Sequence, residues 1–169
     1  MLSLNFIVRA VLVVDGKFLL TSISDGVRDP FFTFLGGHVA LGETVMEAVR
    51  REVEEEIGLQ VAPSRLLYIA ENFFTRGKGK LHELGYYFLC HPVEETGPDV
   101  LEKISPSLGD DINPNLIPPD ELRDVNFQPR QIGLLAAADF LSNFAGCPKL
   151  VVVNELPGEV RADEGVFEL

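Results

Sequence analysis

Six glutamates fall within fourteen positions, from Glu43 to Glu56, inside the run GGHVALGETVMEAVRREVEEEIGL that spans Gly36 to Leu59. Like charges at that density repel, so this stretch must either keep its carboxylates in water or pair them with something positive. Thr44-Val-Met-Glu47 reads as a capping box, with Thr44 capping a first turn and Glu47 reaching back to it. The pattern therefore predicts a helix over 44–57. At about 100° per residue, Val45, Met46, Val49, Val53 and Ile57 make one apolar stripe, while Glu47, Arg50 and Glu54 turn toward solvent. Glu52, Glu55 and Glu56 share a face that adjoins the apolar stripe instead of opposing it. A carboxylate at the edge of a core costs on the order of several kcal/mol unless it is paired, and Arg51 offsets only part of that. Two readings follow from the residues alone. One is a solvated acidic face; the other is a bound divalent cation, since clustered carboxylate oxygens suit Mg²⁺ and Mn²⁺.

Upstream, NFIVRAVLVV (5–14) is apolar at both parities, as expected of a strand covered on both faces, with Arg9 as the interruption. Asp15-Gly16 is a hairpin turn, KFLLTSI its returning strand, and FFTFL a short strand running into Gly36-Gly37. Downstream, RLLYIAENFF and HELGYYFLCH read as two strands about the turn TRGKGK. Residues 92–119 change character: prolines, glycines and the acids Glu94, Glu95, Asp99, Glu102, Asp110 and Asp111 predict a long loop or lid. ELRDVNF is expected to rejoin the sheet, PRQIGLLAAADFLSNFAG to form a helix, and KLVVV a last strand. The division expected is a domain over 1–153 and an acidic C-terminal tail over 154–169. The alternation of strands with two separated helices indicates an α/β class with a mixed sheet.

With 26 acidic against 14 basic residues the formal net charge is −12, which disfavours nucleic acid and anionic membrane as partners. An anionic substrate then needs a cation as intermediary. Cys90 and Cys147 have no metal-ligand spacing, and no apolar run is long enough to cross a bilayer, so the expected setting is the cytoplasm. The oligomeric state stays open, a homodimer being one option.

Gly37, five residues, Glu43, seven residues, then Arg51-Glu52-Val53-x-Glu55-Glu56-x-Gly58-Leu59 resembles the full signature of the Nudix hydrolases. The resemblance implies an α/β/α sandwich with a mixed β-sheet over roughly residues 3–145. It implies Mg²⁺- or Mn²⁺-dependent hydrolysis of a nucleoside diphosphate linked to another moiety, by water attack at phosphorus. A nucleotide-type small molecule is then the partner. Carried over by position, Glu52, Glu55 and Glu56 form the metal-ligand set, joined by the carbonyl of Gly36. Glu52 is the expected general base, with Glu94, Glu95 and Glu102 as loop candidates. Arg51 and Glu43 lock the loop onto the helix, Gly37 allows a tight turn beside the metal, and Gly58 ends the helix. Phe34 sits where relatives stack a base, Arg28 is a candidate phosphate ligand, and Glu83 beside His82 is a candidate extra metal ligand. The sequence departs from the common pattern at Leu35, where relatives often carry proline, and TRGK (75–78) lacks the markers of particular substrates. A nucleotide-sensing module of the same fold, without turnover, is the alternative from another functional class.

Overall fold

The computed structural model describes residues 2–24, 29–76, 79–97, 99–104, 112–156, 158 and 163–169. Its first strand, β1 (Leu2–Val14), explains the apolar residues at both parities. Val8, Ala10, Leu12 and Val14 enter one core, while Val11 enters a second core on the other face of the sheet. Asp15 and Gly16 take positive φ of 50° and 72°, the primed turn that matches strand twist. The chain returns as β2 (Lys17–Ile23) and then forms β3 (Phe31–Phe34). Helix α1 (Val45–Ile57) packs on the first core through Ala48, Val49, Val53 and Ile57. The long hairpin β4 (Val61–Arg76) and β5 (Gly79–Pro92) follows, then a short α2 (Val100–Lys103) and β6 (Asn113–Ile117). A 3₁₀ turn over Pro119–Arg123 leads to α3 (Arg130–Phe140), β7 (Lys149–Asn154) and β8 (Gly165–Glu168).

Among the described residues these strands form one eight-stranded sheet in the order β3-β2-β1-β5-β4-β7-β8, with β6 paired to β2. The pairs β1–β5 and β4–β7 are parallel and the other pairs antiparallel, so the sheet is mixed. With α1 on one face and α3 on the other, the result is the expected α/β/α layering. Among the described residues no helix is long and apolar enough to cross a membrane.

Three expectations are revised in detail. The described parts of 92–119 are not one continuous loop: Val100 and Ile104 are buried in the first core, and β6 pairs with β2 from Phe18↔Ile117 to Ser22↔Asn113. Pro114 hides that strand in the sequence, yet an edge strand tolerates proline because its outer N–H side needs no partner. Residues 121–127 rejoin the sheet only through a bridge between Phe127 and Phe32, after the 3₁₀ turn. The acidic tail is not free either. Leu156 is buried beside Phe73 and Val152, and β8 pairs antiparallel with β7. Acidic composition reports the side chains that face water, whereas this pairing uses the backbone and covers the open edge of β7.

Candidate active site

The helix that carries the glutamates is fixed at both ends by its own sequence. Thr44 Oγ1 accepts from the Glu47 backbone N–H at 3.2 Å, and Glu47 Oε2 accepts from the Thr44 N–H at 2.8 Å. Gly58 closes the helix at φ 69°, donating its N–H to the Glu54 carbonyl.

Ahead of the helix, Arg51 holds the loop in place. Its Nη2 donates to Glu43 Oε1 at 2.7 Å and to the His38 carbonyl at 3.0 Å, and its Nε donates to Glu43 Oε2 at 3.1 Å. That guanidinium holds the Glu43 carboxyl down to about 2. The remaining nitrogen, Nη1, bridges Glu52 Oε1 at 2.9 Å and Glu55 Oε2 at 3.0 Å. Arg51 therefore already does for two of the glutamates what a cation would do.

Glu56 has a different surrounding. Its Oε2 accepts from the Gly36 N–H at 2.8 Å. Burial pushes its carboxyl up to about 7, and the charge of Glu52 pushes the same way, against the pull of Arg9 and the Gly36 N–H. Arg9 reaches over from β1, donating through Nη1 to the carbonyls of Gly36 at 2.6 Å and Phe34 at 3.1 Å. Both glycines are dictated by this packing. Gly36 stands at φ 133° with its α-carbon against the Val8 carbonyl, and a Cβ on Gly37 would land on the Glu52 carboxylate.

The chemistry of these donors fits a hard divalent ion. Glu52, with 16% of its side chain exposed, and Glu56 converge on the Gly36-Gly37 turn from one helix face. The pull of Arg9 and the Gly36 N–H does not offset the burial of Glu56, whose carboxyl stays at about 7. Glu55 lies further out, 62% exposed. Among the described residues no three ligand-type side chains stand together as a ready-made cage, since Arg51 draws Glu52 and Glu55 to itself.

A cavity of about 190 Å³ adjoins the same turn and is lined by Gly37, His38 and Arg9. Its walls add Asn5 and Ile7 of β1, Phe31 of β3, Asn72 and Phe74 of β4, and Gln128.

Other expected site residues fare unevenly. Phe34 is corrected: it is fully buried in the second core, edge-on to Phe18, Tyr87 and Phe127, and no ring can stack on it. Arg28 lies outside the described residues. Glu83 lines the cavity, while His82 stacks on Phe73 at 4.2 Å and meets Glu71 at 2.9 Å. Glu94, Glu95 and Glu102 are exposed and do not line the cavity. Sequence reasoning missed Arg9 and Asn72 as site residues. Arg9 was nonetheless visible as the one charged residue of its strand, where only a specific contact justifies it, whereas Asn72 follows Glu71 and nothing local marked it.

The NUDIX domain family matches this chain over residues 4–138. The chain belongs to the Nudix family. Among curated relatives, the human mitochondrial NAD(P)H pyrophosphatase NUDT13 is 32% identical over 90 residues, 53% of this chain and 24% of its own length. This chain thus aligns with about a quarter of that relative. Among solved structures, a NUDIX hydrolase from Nitrosomonas europaea superposes with a TM-score of 0.60 at 22% identity, covering 83% of this chain and 90% of that one. An ADP-ribose pyrophosphatase from Streptococcus suis also gives 0.60, at 17% identity, covering 89% and 98%. At such identities the structures speak for the shared Nudix fold.

Proposed function

We propose that this Nudix protein is a Mg²⁺- or Mn²⁺-dependent pyrophosphohydrolase that cleaves a nucleoside diphosphate linked to another moiety. One observation carries the reading: Glu52 and Glu56 meet at the Gly36-Gly37 turn, where Glu56 is short of positive charge. The names of two relatives fit, since NAD(P)H and ADP-ribose each contain a nucleoside diphosphate joined to a further group.

When bound, the metal neutralises charge on the phosphoryl oxygens and lowers the pKa of a coordinated water. Glu52, Glu55 and Glu56 would hold it, joined by the Gly36 carbonyl, which here accepts from Arg9. Glu52 orients the attacking water and takes its proton, its carboxylate lying directly against the Gly37 turn. Arg51 keeps Glu52 in place through Nη1 and the preceding loop in place through Glu43. The reading places the enzyme in the cytoplasm, where Cys90 and Cys147 stay reduced; both are free thiols here.

The test is a panel of nucleoside triphosphates, ADP-ribose, sugar nucleotides and dinucleoside polyphosphates, incubated with Mg²⁺ or Mn²⁺ and resolved by ion-exchange chromatography. Metal-dependent release of a nucleoside monophosphate from a diphosphate-linked member supports the reading. Tight nucleotide binding with no turnover of any member would replace it with the sensing module.

A further inference from the structure

Asn72 sits in β4 between Glu71 and Phe73 with 7% of its surface exposed, and it lines the cavity beside Gly37. Its Oδ1 is buried and has no hydrogen-bond partner. A leucine of nearly the same shape would remove that orphaned group and pack as well, so the fold gains nothing from the amide. Two further amides line the cavity, Asn5 and Gln128, and Gln128 is tied by its Nε2 to Asn126 Oδ1 at 3.2 Å; of the three, Asn72 holds the buried atom without a partner. Asn72 pairs in register with Glu83, and opposed residues of an antiparallel pair share a face, so both belong to the same wall. Phe74, two residues further along the strand, adds an aromatic surface on that face.

The cavity is also correctly placed relative to the carboxylates. Arg9 lines it and donates to the Gly36 carbonyl, while the N–H of Gly36 holds Glu56. A ligand whose planar end fills the cavity therefore has its next groups at Arg9 and the Gly36-Gly37 turn.

We infer that Asn72 reads the nucleobase of the substrate, and that the base it accepts carries an exocyclic amino group beside a ring-nitrogen acceptor, as adenine does. The inference rests on the pyrophosphohydrolase reading. The unpartnered atom of Asn72 is its acceptor Oδ1, so the group it lacks is a donor such as the exocyclic amino group of adenine, which uracil does not carry.

The experiment compares wild type with Asn72→Leu and the smaller Asn72→Ala, on ADP-, GDP- and UDP-linked forms of one leaving group. Wild type should prefer the ADP form by about tenfold or more in kcat/KM, and both variants should narrow this to about threefold, through KM. Asn72→Leu should also melt at a higher temperature than wild type, an outcome that a merely structural asparagine would reverse. Calorimetric binding of AMP, GMP and UMP without metal gives a readout independent of turnover. If wild type hydrolyses nothing, the enzymatic reading fails and AMP binding still decides: selective binding lost in Asn72→Leu supports the inference. Absence of AMP binding by wild type, or base preference unchanged in both variants, overturns it.

Discussion

Glu56 of α1 and Asp139 of α3 each bring a carboxylate from a covering helix toward the central sheet, one on each face. Asp139 is fully provided for. It accepts from Lys149 Nζ at 2.6 Å and from the Tyr68 hydroxyl at 2.9 Å, with the Cys147 thiol at 3.7 Å. Burial and the neighbouring Asp139 push the Tyr68 hydroxyl far up, so it stays a donor. Glu56 instead has the Gly36 N–H, a more distant Arg9, and the like charge of Glu52. The Asp139 cluster is closed and contributes to holding α3 against β4 and β7. The Glu56 cluster is left short of one cation. The proposed metal would supply the charge that Glu56 lacks.

Removing a partner on each side should break the two clusters in different ways. The largest effect is expected on the closed side, where Lys149→Met leaves the Asp139 charge buried without its ion partner. Denaturant unfolding should show a loss of about 3–5 kcal/mol, with activity per folded molecule unchanged.

On the open side, Glu56→Gln should do the reverse, cutting metal affinity and turnover by about 100-fold while leaving the melting temperature intact or higher. The pH dependence follows from its raised pKa. Below the ordinary value of 4.5 both the folded and unfolded chains hold the proton, and no difference exists. As pH rises from 4.5 to about 7, the unfolded chain releases the proton first, so metal-free wild type loses stability relative to Glu56→Gln. Thermal melts at several pH values in the presence of a chelator measure this; a wild type that gains stability over that window would contradict it.

Glu52→Gln sharpens the contrast within the open cluster. A group acting on the attacking water works mainly in the transition state, so kcat should fall by about 100-fold with KM nearly unchanged. A loss of only a few-fold would move the base elsewhere in the chain.

The smallest effect belongs to Glu43, whose half-buried carboxyl is held at about 2 by Arg51. Its contribution is fully present above the ordinary 4.5 and is lost as pH falls through about 2, opposite in sign to Glu56. Glu43→Gln should lower the melting temperature slightly at pH 7 and not at all near pH 2, with activity reduced several-fold as Arg51 loosens.

Much of this contrast was legible in the sequence on one side only. The glutamate spacing, the capping box and Gly58 specify α1 through local rules of period and capping, and the structure repeats them almost residue for residue. The doubly covered β1 was equally readable, because apolar residues at both parities have one physical cause. Asp139 was hidden, since its partners Tyr68 and Lys149 stand 71 and 10 residues away and no local pattern joins them. The edge strands β6 and β8 were hidden for another reason: they are held by backbone pairing, while their prolines and acids look like loop and tail. Phe34 illustrates the limit of positional analogy. Its place in the motif pointed to a ligand, but the alternation of β3 turns it into the second core.

The central claim is that the open cluster around Glu56 is completed by a divalent ion. Calorimetric titration of Mn²⁺ at pH 7, repeated in buffers of different ionisation enthalpy, tests it most directly. With the Glu56 carboxyl at about 7, wild type should bind the ion and release about half a proton, and Glu56→Gln should bind far more weakly and release none. Equal Mn²⁺ affinity in the two proteins, with no proton released by either, would contradict the account.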